Sequence, residues 1–257
     1  MLNDLFSLKD RVALVTGGSR GIGRMIAAGF LAHGARVYIS SRKASVCEQT
    51  AAELSTSGGS CIALPADVST VEGARSLATA LMARESKLDI LVNNAGAAWL
   101  AEFDAFPEKA WDKVMDLNLK TPFFLTQALA PALRAAATPS KPSKVINIAS
   151  IDGIAVNPQE TYSYAASKAG LIHLTRRMAL RLVADGIVVS AIAPGAFKSD
   201  MNIQARDHEP EVAARIPAKR VGTDEDMAGA AIYLASRAGD YVVGSTLIVD
   251  GGVTCAR

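Results

Sequence analysis

Apolar runs of strand length recur along the chain: RVALVTG (11–17), RVYIS (36–40), CIALPAD (61–67), LDILVNNAG (88–96), KVINIAS (144–150), IVVSAIAPG (187–195) and STLIVDGG (245–252). Their hydrophobicity is continuous rather than alternating, as in strands buried on both faces. The stretches between them carry helical periodicity, for example 21–33 stopping at Gly34, and 44–54 running into the Ser/Gly stretch before Cys61. Repeated alternation of strand and helix predicts an α/β fold, a doubly wound seven-stranded parallel sheet with helices on both faces. No repeat or low-complexity linker divides the chain, and TPSKPSK (138–144) reads as a loop after a helix, so 1–257 is expected to form a single domain. The pattern breaks at 198–222, where Lys198, Asp200, Arg206, Asp207, His208, Glu209, Pro210 and Pro217 intervene. That segment is expected to be a mobile substrate lid.

Composition narrows the function classes. Hydrophobic residues make up 50% of the 257 and charged residues 20%, which suits a large core and excludes a disordered chain. A net charge of +2 without a dense basic stretch argues against a nucleic-acid partner. Cys47, Cys61 and Cys255 are scattered, with no CxxC pair or histidine cluster, so neither a metal site nor a disulfide framework is expected. The opening MLNDLFSLKDR acquires Asp4 and Asp10 before any long apolar run, so no signal peptide, membrane span or membrane partner is expected, and the cytoplasm is the default location.

The string VTGGSRGIG ends the first strand and opens a helix. Gly17, Gly21 and Gly23 let the backbone turn tightly there and let a pyrophosphate reach the helix N-terminus; Ser19 and Ile22 are grouped with the same turn. This is a Rossmann-like dinucleotide cradle. The second strand ends without the acidic residue that binds an adenosine ribose diol, and Ser41, Arg42 and Lys43 follow instead. With Arg20 in the glycine loop placed to join Arg42 on a 2′-phosphate, the expected cofactor is NADP(H). Asp67, with Val68 beside it, is placed to accept from an adenine amino group, or equally to cap the turn at Ser69. Asn93, Asn94, Ala95 and Gly96 close the fourth strand at the carboxyl edge of the sheet, where small residues permit close packing against a cofactor.

Tyr164 and Lys168 lie four residues apart in YSYAASKAGLIHLTRRMAL, so they share one face of a helix. A nearby ammonium and an oxidised nicotinamide both favour the phenolate, drawing the phenol from its usual pKa of about 10 toward neutrality. Tyr162 is the competitor, but Lys168 falls on another face from it, so Tyr164 is the expected proton-transferring residue.

With TGGSRGIG, NNAG, a Ser before YxxxK and the PG after the sixth strand all in order, the chain resembles the short-chain dehydrogenase/reductase family from Val12 to Gly252. The resemblance implies that Tyr164 is the general acid/base and that Lys168 lowers its pKa while holding the nicotinamide ribose. It implies that Ser150 donates to the substrate oxygen and that Asn118 holds a water linking Lys168 to solvent. Pro194, Gly195 and the backbone of Ala196 and Phe197 are implied to contact the nicotinamide carboxamide, and Ser199 the pyrophosphate. Ile192 would lie beneath the nicotinamide by analogy, but it reads as a core residue and is left out. Ser150 and Tyr164 stand fourteen positions apart where the family commonly has thirteen, which reads as a loop insertion absorbed near Gly153 and Pro158.

TGGSRGIG, NNAG and VDGG look closest to bacterial 3-oxoacyl thioester reductases, including the type associated with rhamnolipid-producing bacteria. The expected function is therefore NADPH-dependent reduction of a 3-oxoacyl group carried on acyl carrier protein or coenzyme A. A sugar, polyol or secondary-alcohol dehydrogenase is the alternative, and a non-catalytic nucleotide-binding scaffold a third. The resemblance also implies a homotetramer, with the 105–137 and 161–184 helical regions at one interface and the C-terminal strand at another. Among the remaining residues, His33 reads as a helix-end cap and His173 as a packed or surface residue. His208 reads as a solvated loop histidine, and Trp99 either as a pocket wall or as core packing.

Overall fold

A strand that is apolar on both sides has to be covered twice, and β1 (Val12–Thr16) shows how. Ala13 and Val15 face one helical layer while Val12 and Leu14 face the other. The structure is a computed structural model describing residues 4–56 and 59–256. Residues 1–3, Ser57 and Gly58 of the stretch before Cys61, and Arg257 lie outside the described residues.

In chain order β1 is followed by α1 (Gly21–Ala32), β2 (Arg36–Ser40), α2 (Ala44–Ser55), β3 (Ser60–Ala63), α3 (Val71–Met82) and β4 (Ile90–Asn93). Then come α4 (Glu108–Met115), α5 (Thr121–Ala136), β5 (Ser143–Ile148), α6 (Tyr162–Leu182) and β6 (Ile187–Pro194). The chain closes with α7 (Ile203–Asp207), α8 (Glu209–Arg215), α9 (Asp224–Ala235) and β7 (Thr246–Val249). The seven strands form one parallel sheet in the order β3-β2-β1-β4-β5-β6-β7. Phe30 of α1 and Met227 of α9 cover one face, and Leu77 of α3, Leu125 and Leu129 of α5 and Met178 of α6 the other. Each fully buried side chain of this size contributes about 1.5–3 kcal/mol, so the two apolar layers together dominate the stability of the sheet.

The order has a functional consequence. The chain runs outward from β1 through β2 to β3, then crosses back to place β4 on the other side of β1. At such a reversal the loops leaving the two central strands diverge and open a crevice at the carboxyl ends. The glycine loop after β1 and the Asn94 loop after β4 form that crevice, and the connections after β5 and β6 lie at the same edge.

One boundary changes. The third strand stops at Ala63 rather than reaching Asp67, although the Leu64 and Ala66 amides still donate to the Ile39 and Ser41 carbonyls at 2.8 and 3.1 Å; Asp67 sits in the following loop. The 198–222 segment contains two short helices: Asn202 caps α7 by accepting from the Ala205 amide, and Pro210 occupies the first turn of α8, where its missing N–H is harmless. Polar residues and prolines that interrupt a strand pattern here start helices.

Candidate active site

The glycine loop is built from close approaches. Gly17 has φ +64, and a Cβ on Gly23 would lie 2.3 Å from the Gly17 carbonyl oxygen and 2.5 Å from Asn94 Nδ2. Asn94 itself clamps the loop, its Nδ2 donating to the Thr16 and Gly17 carbonyls at 2.8 and 3.2 Å. Thr16 Oγ1 accepts from the Asn94 and Ala95 amides, both at 3.0 Å, which ties the end of β1 to the end of β4. The N-terminus of α1, opening at Gly21 and Ile22, has no side-chain cap and no acidic residue in its first turn. By contrast α9 carries a Thr223/Asp226 capping box. Uncapped amides behind a glycine cradle fit a dinucleotide pyrophosphate. Ser199 comes in from the other side, and a Cβ on Gly21 would meet its side chain at 3.1 Å.

The adenosine end is more mixed. Arg42 and Lys43 are exposed after β2, Ser41 is half-buried beside them, and no acid stands among the three. Arg20 is engaged, its Nη1 bonding Asp200 Oδ2 at 2.7 Å. Asp67 Oδ1 accepts from the Ser69 amide at 3.0 Å, the turn-capping arrangement. Val68 is buried and its carbonyl accepts from Thr121 Oγ1. Ser19 gives its carbonyl to Thr50 Oγ1 at 3.1 Å, anchoring the loop to α2.

At the other end, Tyr164, Lys168, Ser150, Asn118 and Gly96 converge. Lys168 Nζ lies 5.5 Å from the centre of the Tyr164 ring and donates to the Ile148 carbonyl at 2.7 Å. Burial pushes the Lys168 ammonium down to about 8. Burial likewise pushes the Tyr164 phenol up to about 12; the Ser150 hydroxyl opposes this by hydrogen-bonding to it, and the Asp152 carboxylate adds to it. The protein alone thus raises the Tyr164 pKa, whereas the lowering expected from the sequence counts the Lys168 ammonium together with an oxidised nicotinamide. The fourteen-residue spacing does not separate Ser150 from Tyr164: a tight turn at Ile151–Gly153 takes up the connection directly after Ser150. Tyr162 is turned away, bonding Glu160 at 2.9 Å and packing edge-on against Phe103 and Phe106.

Asn118 lies in a π-helical turn between α4 and α5 (Asp116–Lys120). Its Oδ1 accepts from the Ala97 amide and its Nδ2 donates to the Ala97 carbonyl, both at 2.8 Å, while Nδ2 also reaches Ser167 Oγ at 3.0 Å. Ser167 Oγ in turn donates to the Tyr164 carbonyl at 2.7 Å. The side chain therefore braces the loop after β4 against the turn of α6 that carries Tyr164. Its amide hydrogens are both used, leaving it one Oδ1 lone pair for a water.

The family model described as enoyl-(acyl carrier protein) reductase matches residues 17–254. The chain is 47% identical to the rhamnolipids biosynthesis 3-oxoacyl-[acyl-carrier-protein] reductase of Pseudomonas aeruginosa over 98% of this chain and 99% of that protein. It is 37% identical to the 2-dehydro-3-deoxy-D-gluconate 5-dehydrogenase of Dickeya dadantii, with 98% of each covered. The solved Pseudomonas aeruginosa RhlG/NADP active-site complex superposes with a TM-score of 0.93 at 47% identity, covering 97% of this chain and 98% of that one. The chain belongs to the short-chain dehydrogenase/reductase family.

In this short-chain dehydrogenase/reductase several further residues shape the site. Gly195 donates to the Val249 carbonyl at 2.9 Å, and a Cβ there would meet Asp250 Cα at 2.8 Å, so the Pro194–Gly195 turn packs directly on the end of β7. Phe197 is buried with its ring over Gly222, which leaves its backbone rather than its side chain for a ligand. Ile192 is fully buried in the core. Trp99 is exposed with Lys113 Nζ 5.5 Å over its ring, so the core-packing reading does not hold. His33 Nδ1 is 3.0 Å from the Gly29 carbonyl, as a helix-end residue should be, while His173 and His208 are exposed.

Thr16 and Gly73 were not singled out in the sequence, and Gly153 was named only as a place to absorb the loop insertion. A Cβ on Gly73 would lie 1.7 Å from the Asp67 carbonyl oxygen, and one on Gly153 2.6 Å from the Lys168 carbonyl carbon. The only sequence signal for either was a glycine inside or beside a helical pattern.

Proposed function

We propose that this chain reduces a 3-oxoacyl thioester to the 3-hydroxyacyl product with NADPH. The observation that carries the reading is the Tyr164 phenol, hydrogen-bonded with Ser150, beside a buried Lys168 at the switch-point crevice. Bound NADPH supplies the hydride. Tyr164 gives its phenolic proton to the carbonyl oxygen, and Ser150 donates a hydrogen bond to the same oxygen as it acquires negative charge. Lys168 places a cation under the phenol and within reach of the nicotinamide ribose. Asn118 is a positioning residue that holds the Tyr164 turn.

A phenol pushed up to about 12 is a donor at neutral pH, as the reductive step requires. Alcohol oxidation needs the phenolate and is favoured as pH rises. Gly17, Ser19, Gly21, Ile22, Gly23, Asn94, Ala95, Gly96 and Ser199 hold the dinucleotide, with Asp67 and Val68 by the adenine and Pro194, Gly195 and Phe197 by the carboxamide. Ser41, Arg42 and Lys43, joined by Arg20, take the 2′-phosphate.

The acyl class is supported by the rim. Leu100 and Phe103 after β4, Ile154 and Val156 after β5, and Met201 and Ile203 after β6 are all exposed, Phe103 by 72% and Val156 by 90%. Apolar side chains projecting from the loops at the active-site edge suit an acyl tail and offer a polyol no hydrogen bonds. Steady-state rates with acetoacetyl and longer 3-oxoacyl thioesters plus NADPH, set against a polyol panel plus NADP, test this. The thioesters are expected to turn over faster by at least about a hundredfold in kcat/KM, equivalent to roughly 2.7 kcal/mol of transition-state preference. Turnover of sugar acids or polyols alone would place the chain with the gluconate-type dehydrogenases instead.

Lys168 adds a pH prediction. Its folded-state pKa is lowered to about 8, so the ammonium is present below that pH and lost above it. NADPH affinity measured by fluorescence is expected to be steady near pH 7 and to weaken as pH rises through about 8, and Lys168→Met is expected to remove that limb. An unchanged limb in the variant would assign it to another group.

Three further expectations belong to this reading. A cytoplasmic location is proposed, and no helix among the described residues is long and apolar enough to cross a membrane. An acyl carrier protein is the proposed thioester donor. A homotetramer is proposed on the exposed hollow lined by Phe123 and Phe124 of α5 and His173 and Leu174 of α6, which light scattering tests.

A further inference from the structure

Arg20 is the N-cap residue of α1, inside the glycine loop, yet its guanidinium is spent on the segment after β6. Nη1 lies 2.7 Å from Asp200 Oδ2, across 180 positions of sequence. The other carboxylate oxygen, Asp200 Oδ1, is held by Arg206 Nη1 at 3.0 Å, and Arg206 also bonds Asp207 through Nε and Nη2 at 2.7 and 3.0 Å. Asp200 is thus a carboxylate shared between two guanidiniums, one from the cofactor loop and one from α7. The neighbouring Ser199 packs against Gly21, so the contact lies at the mouth of the cradle.

We infer that Asp200 is a specificity-determining residue that competes with the 2′-phosphate of NADP(H) for Arg20 and so sets how strongly the site prefers NADP(H) over NAD(H). This rests on the proposed assignment of Arg20 to the 2′-phosphate. A phosphate carries more charge and more acceptor oxygens than a carboxylate and wins the exchange when NADP(H) is present. The exchange costs little, because Arg206 keeps Asp200 paired once Arg20 leaves. The Arg20–Asp200 pair is itself exposed, the side chains by 70% and 51%, and exposed pairs of this kind are weak and screened by salt. NAD(H) has no 2′-phosphate and leaves the Arg20–Asp200 pair in place. The same carboxylate therefore opposes one cofactor and is neutral toward the other.

Dissociation constants for NADPH and NADH, measured by calorimetry on wild type, Asp200→Asn, Arg20→Ala and the double variant, test the inference. Asp200→Asn is expected to tighten NADPH by about two- to fivefold at low salt, with the gain shrinking at high salt, and to leave NADH unchanged. In the Arg20→Ala background the same substitution is expected to have no effect on NADPH. Equal tightening of both cofactors would mean that a negative charge near the pyrophosphate had simply been removed, and it would overturn the inference. So would an unchanged NADPH constant, or an effect of Asp200→Asn that survives without Arg20. If Arg20→Ala leaves NADPH binding intact, the assignment of Arg20 to the phosphate fails; if it weakens NADPH while Asp200→Asn does nothing, only the competition fails.

Discussion

Tyr164→Phe is expected to lower kcat for 3-oxoacyl thioester reduction by on the order of 10²–10⁴-fold while leaving NADPH binding within about twofold of wild type. The substitution removes one oxygen. That oxygen is the proton donor and one of two hydrogen-bond donors to the developing oxyanion, the other being Ser150. The ring stays, so its packing over Lys168 Nζ at 5.5 Å is kept. Ser150→Ala should cost less, because it deletes a hydrogen bond but leaves the proton source. Stopped-flow NADPH oxidation with saturating thioester separates the two. Comparable rates for Tyr164→Phe and wild type would remove Tyr164 from the chemistry.

Gly23→Ala is expected to weaken NADPH by at least about tenfold, the equivalent of one lost charge-assisted hydrogen bond. The new Cβ would sit 2.3 Å from the Gly17 carbonyl oxygen and 2.8 Å from its carbonyl carbon. Those are backbone atoms in a turn held by Asn94, so relief comes only by opening the loop, and overpacking of this kind costs about 1–3 kcal/mol. Opening it carries the α1 amides away from the pyrophosphate. Gly229→Ala is the control, since a Cβ there meets nothing within 4 Å and the helix gains from alanine. Thermal melts with and without NADPH are expected to show a smaller ligand-induced shift for Gly23→Ala and an unchanged one for Gly229→Ala. A full shift in Gly23→Ala would mean that the loop does not hold the cofactor by close approach.

The sheet was legible because parallel strands are apolar on both faces, so β1, β2, β5 and β6 stand out as unbroken runs. Tyr164 and Lys168 were legible because a four-residue interval on a helix fixes their shared face whatever surrounds them. What was not legible depends on distant parts of the chain. Asp200 lies 180 positions from Arg20, and no local pattern announces that one engages the other. Asn118 is named only through the resemblance, and its hold on Ala97 depends on a π-turn that no local pattern announces. The direction of the Tyr164 shift was also out of reach, since burial decides it and the neighbouring ammonium does not. The helices within 198–222 were not legible for a local reason: capping residues and a first-turn proline are also what a loop contains.

The most direct test of the central claim follows label rather than rate. In ordinary water, with NADPH deuterated at the transferable C4 position and a 3-oxoacyl thioester, the wild-type protein is expected to form a 3-hydroxyacyl thioester with one deuterium bound at C3. Tyr164→Phe should give the same labelled product far more slowly. A product without deuterium at C3, or NADPH consumed with no 3-hydroxyacyl product, would contradict the account.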